Sequence, residues 1–542
     1  MKNNYHPKTK QLYKKIRKTI LITGVFFLVS ACSSVKKYNE QIAELHTVDE
    51  LRSDIDKTYT QFKRHHPRLY QYTPKKVLDR KVDSLKMSIN EPMSSHEFYE
   101  KLSVILANIR QGHITVIPPQ ERLERKGLKA FRKKKFELSE LEFEYLDDKV
   151  FVARSFGKDS ILVGSEVLKF NHENVIALIR RYNRLYSSDG YNTTFHSKYS
   201  AFGLEKFYRR DHGRINSLPV TFKLNDSIFT RVFTYTDRKP TKIDTLAPAD
   251  KKKLPILSKE EKKAKRLAQK EKKKRDNKFG FIPEKKTDTR TLTFKDQDST
   301  TAHMRISNFS RGNYKAFYDD VFKMIDTLDT ENLIIDLRNN TGGRLSEIEY
   351  LYSYLVDEPY IFINESEVNS RLPYLKYLMA NTQSVAKKGI IGMMSPILIT
   401  HNLINTTKRN DTLYYRFKQS KQRKPKSNNF KGKVYVLING VSFSASSVLS
   451  TKLKATGRAI LVGEETGGAH NGTVAGIFKM YELPHSKLKV RIGLMQIDTP
   501  HKIYPDGYGV QPNIPIQPTV MNRKRRIDPE LEWVLNDIQK RS

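Results

Sequence analysis

One cysteine, Cys32, stands in 542 residues, so no disulfide can close within the chain. No His/Cys/Asp cluster has metal-ligand spacing, and neither a metal nor another cofactor is expected. Acidic residues are scarce, 59 against 98 Lys and Arg, which leaves a formal charge of +39. That excess is spread along the chain. Its densest stretch, Lys251 to Lys278, holds 14 Lys/Arg and 4 Asp/Glu with almost no apolar periodicity. No nucleic-acid-binding motif accompanies it, so the charge reads as solvated surface and no specific nucleic-acid partner is expected. The leading apolar run, Ile20 to Val29, is too short to cross a bilayer comfortably. The single tryptophan, Trp533, reads as packing. Apolar residues at 38% and charged residues at 29% describe a globular chain with polar surfaces, long enough for two or three domains.

The N-terminus is patterned. Lysines and Arg17 precede the apolar run, and small residues lead to Val29-Ser-Ala-Cys32, so residues 1–31 read as a secretory signal peptide. The Val-Ser-Ala-Cys ending resembles the lipobox of bacterial lipoproteins. The resemblance implies cleavage before Cys32, acylation of Cys32 and attachment to a membrane, with residues 32–47 as a tether. Ser33, where an aspartate would direct inner-membrane retention, implies the outer membrane, facing periplasm or exterior.

Residues 48–119 read as a helical region. Ser94-Ser-His-Glu97 matches a capping box, helical spacing follows from Phe98 to Ile109, and Ile114 to Ile117 resumes as a strand with His113 at the junction. Residues 120–236 alternate short strand-like runs with a helical stretch near Val175 to Tyr182. Residues 237–290, charged and interrupted by prolines, read as a basic linker in which Lys259 to Lys274 can form a solvated helix. Residues 291–542 alternate strand and helix patterns, which predicts an α/β unit with a mostly parallel sheet. Residues 388–431 read as a loop insertion in it.

Two segments of that unit carry chemistry. Asn332 to Gly343 and Val434 to Ser447 each run as a buried strand into a polar or glycine turn and then a helix pattern. Such a corner leaves the first helical N–H groups without internal partners, pointing outward at the mouth of the sheet. Ser444 sits on one corner, as a nucleophile or as a plain helix N-cap. Gly342-Gly343 forms the other, as an anion-facing loop or an ordinary turn.

Asp336-Leu-Arg-Asn-Asn-Thr-Gly-Gly343, Ser442-Phe-Ser-Ala-Ser446, Gly457-Arg458 and Gly463-Glu-Glu-Thr-Gly-Gly468 resemble the core of the S41 peptidases, the C-terminal processing and tricorn-type serine proteases. Arg110-Gln-Gly-His-Ile-Thr-Val116 is similar to that family's His-bearing segment. The resemblance implies a multidomain α/β protein: an N-terminal helical region, a small β-rich PDZ-like module and a crotonase/ClpP-like core. It implies cleavage of unfolded or C-terminally exposed polypeptides, with Ser444 as nucleophile and N–H groups of Ala445 and of Gly342 or Gly343 as oxyanion donors. In the Ser-Lys branch of the family the base lies 25 residues after the nucleophile. Here that residue is Ala469. A serine hydroxyl needs a base, so His113 is the candidate, with His470 as the alternative. Asp506 aligns with an acidic position that would orient the imidazole, although Pro505-Asp-Gly507 is equally a β-turn. Glu464 and Glu465 are weaker candidates for that role. The absent lysine keeps a second reading open, an inactive scaffold of this type that binds peptides or lipids. Oligomeric state is not legible.

Overall fold

The computed structural model describes residues 35–238 and 258–541. Cys32, the signal region and the start of the tether fall outside these residues, as does the linker stretch 239–257.

The core is a six-stranded sheet in the order Ile514–Pro515, Ala459–Gly463, Lys433–Ile438, Asn332–Asp336, Thr301–Ile306 and Arg290–Phe294. All neighbours are parallel except the last pair. Helices cover both faces, so the central strands are apolar along nearly their whole length instead of alternating. Leu333, Ile335, Val434 and Val436 pack on one face against Phe317, Ile348, Leu351 and Leu449. Ile334, Tyr435, Leu437 and Val462 pack on the other against Val534 and Ile538, with Trp533 at the rim.

A second six-stranded sheet bridges the two ends of the chain. In it Thr115–Ile117, from the N-terminal region, pairs with Lys489–Asp498, from the C-terminal unit, in the register Thr115 opposite Arg491. The strand Gly472–Glu482 flanks Lys489–Asp498 on a separate edge. N-terminal helices Val48–His65 and Ser95–Ala107 start at capping boxes, Thr47 with Glu50 and Ser94 with Glu97. Their buried faces share one core with the bridging strands through Leu102, Leu106, Val490 and Ile492.

Between these lies a seven-stranded antiparallel sheet spanning Lys134 to Asp237, with helix Val175–Asn183 against it. The basic segment forms the helix Lys259–Phe279, capped by Ser258 and ended by Gly280 at φ +68°. None of its residues is buried. Residues 388–431 are more ordered than a loop. The helices Val385–Met393 and Ser395–Asn405 are followed by a hairpin, Thr406–Arg409 with Thr412–Tyr415, that extends the bridging sheet. Helical periodicity is faint there because the two helices bury only Ile391 and Asn402.

Candidate active site

Ser444 occupies the corner between the buried strand Lys433–Ile438 and helix Ala445–Ala455, with φ +56° and ψ −117°. A side chain other than glycine is strained in that region of φ, and the surrounding bonds hold it there. Phe443 N–H donates to the Asn340 carbonyl at 3.0 Å. The Ser442 and Ser446 hydroxyls donate to the carbonyls of Leu337 and Asn340, each at 2.8 Å. Ser442, Phe443, Ala445 and Ser446 are buried, and Ser444 alone of the five is partly open.

The imidazole of His113 meets it. Nε2 lies 3.0 Å from Ser444 Oγ, and Nδ1 lies 3.0 Å from Thr473 Oγ1. Thr473 in turn donates to Asp189 Oδ1 at 3.1 Å. A hydroxyl has one proton to give, so with Asp189 ionised Thr473 must accept from Nδ1–H. That leaves the Nε2 lone pair facing Ser444. Phe443 and Phe478 flank the ring at centroid distances of 5.0 and 5.4 Å. Gly112 is required beside it, since a Cβ there would sit 2.5 Å from Phe443 Cζ. Burial, with the Arg491 charge behind it, lowers the His113 pKa to about 3, so the imidazole is neutral at physiological pH.

Burial pushes the Asp189 carboxyl up to about 6, against the Gly112 N–H, the Thr473 hydroxyl and the Ala469 N–H. Gly112 N–H donates to Oδ1 at 2.8 Å. The loop bearing Asp189 is wedged into the core by Gly190, whose N–H donates to the Arg110 carbonyl at 2.8 Å. A Cβ on Gly190, at φ +68°, would meet the Gly507 backbone at 2.3 Å.

Opposite Ser444, Gly342 approaches so closely that a Cβ would fall 2.8 Å from Ala445 N and from Ser444 Cβ. Its own N–H donates to Asn340 Oδ1 at 2.9 Å. Its carbonyl accepts from Phe309 N–H at 3.0 Å, so Gly343 N–H, across the same trans peptide, points the opposite way. Ala445 N–H is the first of its helix and has no intrahelical acceptor. The arrangement can deprotonate a hydroxyl at an anion-receptive corner, which is the chemistry of acyl transfer.

Residues 300–516 match the model of peptidase family S41. Over this segment the chain is similar to that family. It is a serine peptidase. No curated protein sequence matches the chain. Among solved structures, mature CPAF complexed with lactacystin is similar at 14% identity with a TM-score of 0.57, over 91% of this chain and 98% of that one. A CPAF mutant gives 13% and 0.55, over 88% and 95%. Mature CPAF gives 14% and 0.54, over 88% and 94%. At these identities the likeness is one of fold.

Other residues singled out in the sequence stand elsewhere. Asp506 has no bond to His113; it accepts from Gln71 Nε2 at 2.9 Å, Asn471 Nδ2 at 3.0 Å and its neighbour Gly507 N–H at 2.7 Å. It holds the 503–508 turn, and its charge helps raise the Asp189 pKa. His470 is fixed through its backbone to Tyr508 and Thr451, and its Nε2 has no partner among the described residues. Glu464 pairs with Lys198, and Glu465 accepts from Gly509 N–H at 2.7 Å. Ala469, at the position lacking a lysine, is buried with its N–H 3.5 Å from Asp189 Oδ2. Thr473 and Asp189 escaped the sequence reading. Ser188-Asp-Gly190 looks like any turn, and a strand threonine carries no signal of its own. Among the described residues one trio could hold a cation, His96, Glu100 and Asp211, yet Asp211 is already engaged by Arg181 and by Tyr182.

Proposed function

We propose that the protein is a lipid-anchored serine endopeptidase of the cell envelope that cuts extended polypeptides through a Ser444–His113 pair. The single observation that carries this is the 3.0 Å approach of His113 Nε2 to Ser444 Oγ, with the tautomer it requires.

Ser444 Oγ attacks the scissile carbonyl carbon while its proton passes to His113 Nε2. The carbonyl electrons move onto oxygen, where Ala445 N–H and Gly343 N–H are the donors within reach; Gly342 N–H is committed to Asn340. The imidazolium then forms in a buried setting that strongly disfavours it. Thr473 and Asp189 offset that cost, Thr473 as the positioning hydroxyl and Asp189 as the carboxylate behind it. His113 returns the proton to the leaving amine as the C–N bond breaks. Water, deprotonated by the same nitrogen, hydrolyses the acyl-enzyme.

In this reading the middle sheet serves as a PDZ-like module, adding a substrate as an extended strand, and the parallel sheet with its helices is a crotonase-like core. Cys32 is the acylated residue, and Ser33 supports the outer membrane as its address.

The test is Ser444→Ala with an unfolded protein substrate and a fluorophosphonate probe. Loss of both hydrolysis and labelling is expected. Unchanged hydrolysis removes Ser444 from the mechanism, and wild-type protein that ignores the probe while still binding peptide is an inert scaffold. Cys32→Ser should release the protein from membranes.

A further inference from the structure

In a chain with 29% charged residues, the 19 residues from Gly389 to Thr407 contain no Asp, Glu, Lys or Arg. They make up most of the helices Val385–Met393 and Ser395–Asn405, which turn on each other around Met394 and Pro396. A helix that is apolar on all sides normally lies inside a core. This pair does the opposite. Met393 is 78% exposed, Ile404 70% and Ile397 69%, and Ile390, Met394 and Leu403 are exposed beside them. No helix among the described residues is long and apolar enough to cross a membrane.

We propose that the hairpin Val385–Asn405 seats its apolar side chains at the headgroup–acyl boundary of a membrane containing anionic phospholipid. It lies on the bilayer as a second contact, independent of acylation at Cys32 and of the catalytic reading.

Charge and position select this occupant. Lys387 and Lys388 open the apolar stretch and make no ion pair among the described residues, while Lys408 and Arg409, paired with Asp411 and Glu365, close it. Basic flanks around an apolar insert complement anionic headgroups.

The base of the hairpin is also near the first described helix, Val35–Ala43. The hairpin is joined to the rest at Asn381 and Thr382, which bond Glu482 N–H and carbonyl at 2.9 and 2.7 Å and the Met480 carbonyl at 3.0 Å. Tyr38, in the first described helix, lines one cavity with Lys489, the strand partner of Glu482. The chain therefore enters the fold beside the hairpin's base.

The experiment uses the chain from Ser33 onward, which keeps every described residue and lacks both the leader and Cys32. It should float with mixed phosphatidylcholine–phosphatidylglycerol vesicles. Met393→Asp/Ile397→Asp should lower the bound fraction at least tenfold with thermal midpoint and hydrolysis unchanged. Lys387→Glu/Lys388→Glu should weaken binding to the mixed vesicles and not to pure phosphatidylcholine. Absence of flotation, or equal flotation by the Met393→Asp/Ile397→Asp protein, overturns the proposal. So does a dimer in sedimentation velocity that Ile397→Asp disperses. Failure of Cys32 to incorporate a fatty acid leaves this assay unaffected, so the two attachments are judged separately.

Discussion

The imidazole Nε2 of His113 and the hydroxyl oxygen of Ser444 lie 3.0 Å apart, although 331 residues of chain separate them. The strand Thr115–Ile117, two residues after His113, closes that distance by pairing with Lys489–Asp498. The Arg491 guanidinium donates to the His113 carbonyl at 2.7 Å and pins the junction.

His113→Ala should lower kcat by about 10³-fold or more with little change in KM, as removal of a triad base does. His470→Ala should leave kcat within about threefold, since it has no bond to Ser444. Steady-state kinetics on the two variants side by side decides between the imidazoles. Equal losses would place the base elsewhere.

Thr473→Val should cost about 10²-fold or more in kcat, because Nδ1–H then faces a methyl group and the ring loses its tautomer control. Thr473→Ser keeps the hydroxyl and should retain most activity. A merely structural threonine would show no such rescue.

Asp189 is expected to set the acid limb of the pH profile. Its carboxyl titrates at about 6, whereas His113 stays neutral down to about 3. Activity should fall as pH drops through about 6, reaching roughly a tenth near pH 5. In Asp189→Asn that limb should vanish from kcat/KM, with the overall rate reduced. A wild-type limb that persists in the variant would assign it to another group.

The same carboxylate is a stability liability. A carboxyl whose pKa rises from 3.8 to about 6 on folding binds its proton more tightly in the folded state. The penalty is absent below the unfolded value, grows between the two and is complete above 6, at about 3 kcal/mol. Asp189→Asn should therefore melt higher than wild type at pH 8, and by a smaller margin at pH 5. Calorimetry at the two pH values checks the sign.

Arg290 and Glu347 form a fully buried ion pair at 2.8 Å, both with no exposed side chain. Arg290→Leu leaves Glu347 with the partly exposed Arg344 as its remaining cation and should cost about 3–5 kcal/mol in urea unfolding. Adding Glu347→Leu should recover part of the loss, because an unpaired charge is what makes the single variant costly.

The sequence by itself determined the local machinery. Continuous β-branched and leucine runs specify strands buried on both faces. The polar corner at Ser444 and the paired glycines at 342–343 specify where backbone N–H groups face outward, and the missing lysine at 469 turns the search for a base toward a histidine. All of this lies within a few residues of chain, where sterics and hydrogen bonding act. Only the tertiary structure decided what stands behind the imidazole. Thr473 and Asp189 are 284 residues apart and come from separate sheets and loops, so no spacing announces them. Asp506, which a motif does announce, is spent on its own turn. The helices at 385–405 were hidden for a related reason: with nearly all their side chains outside the core, no packing face imposes a period on them.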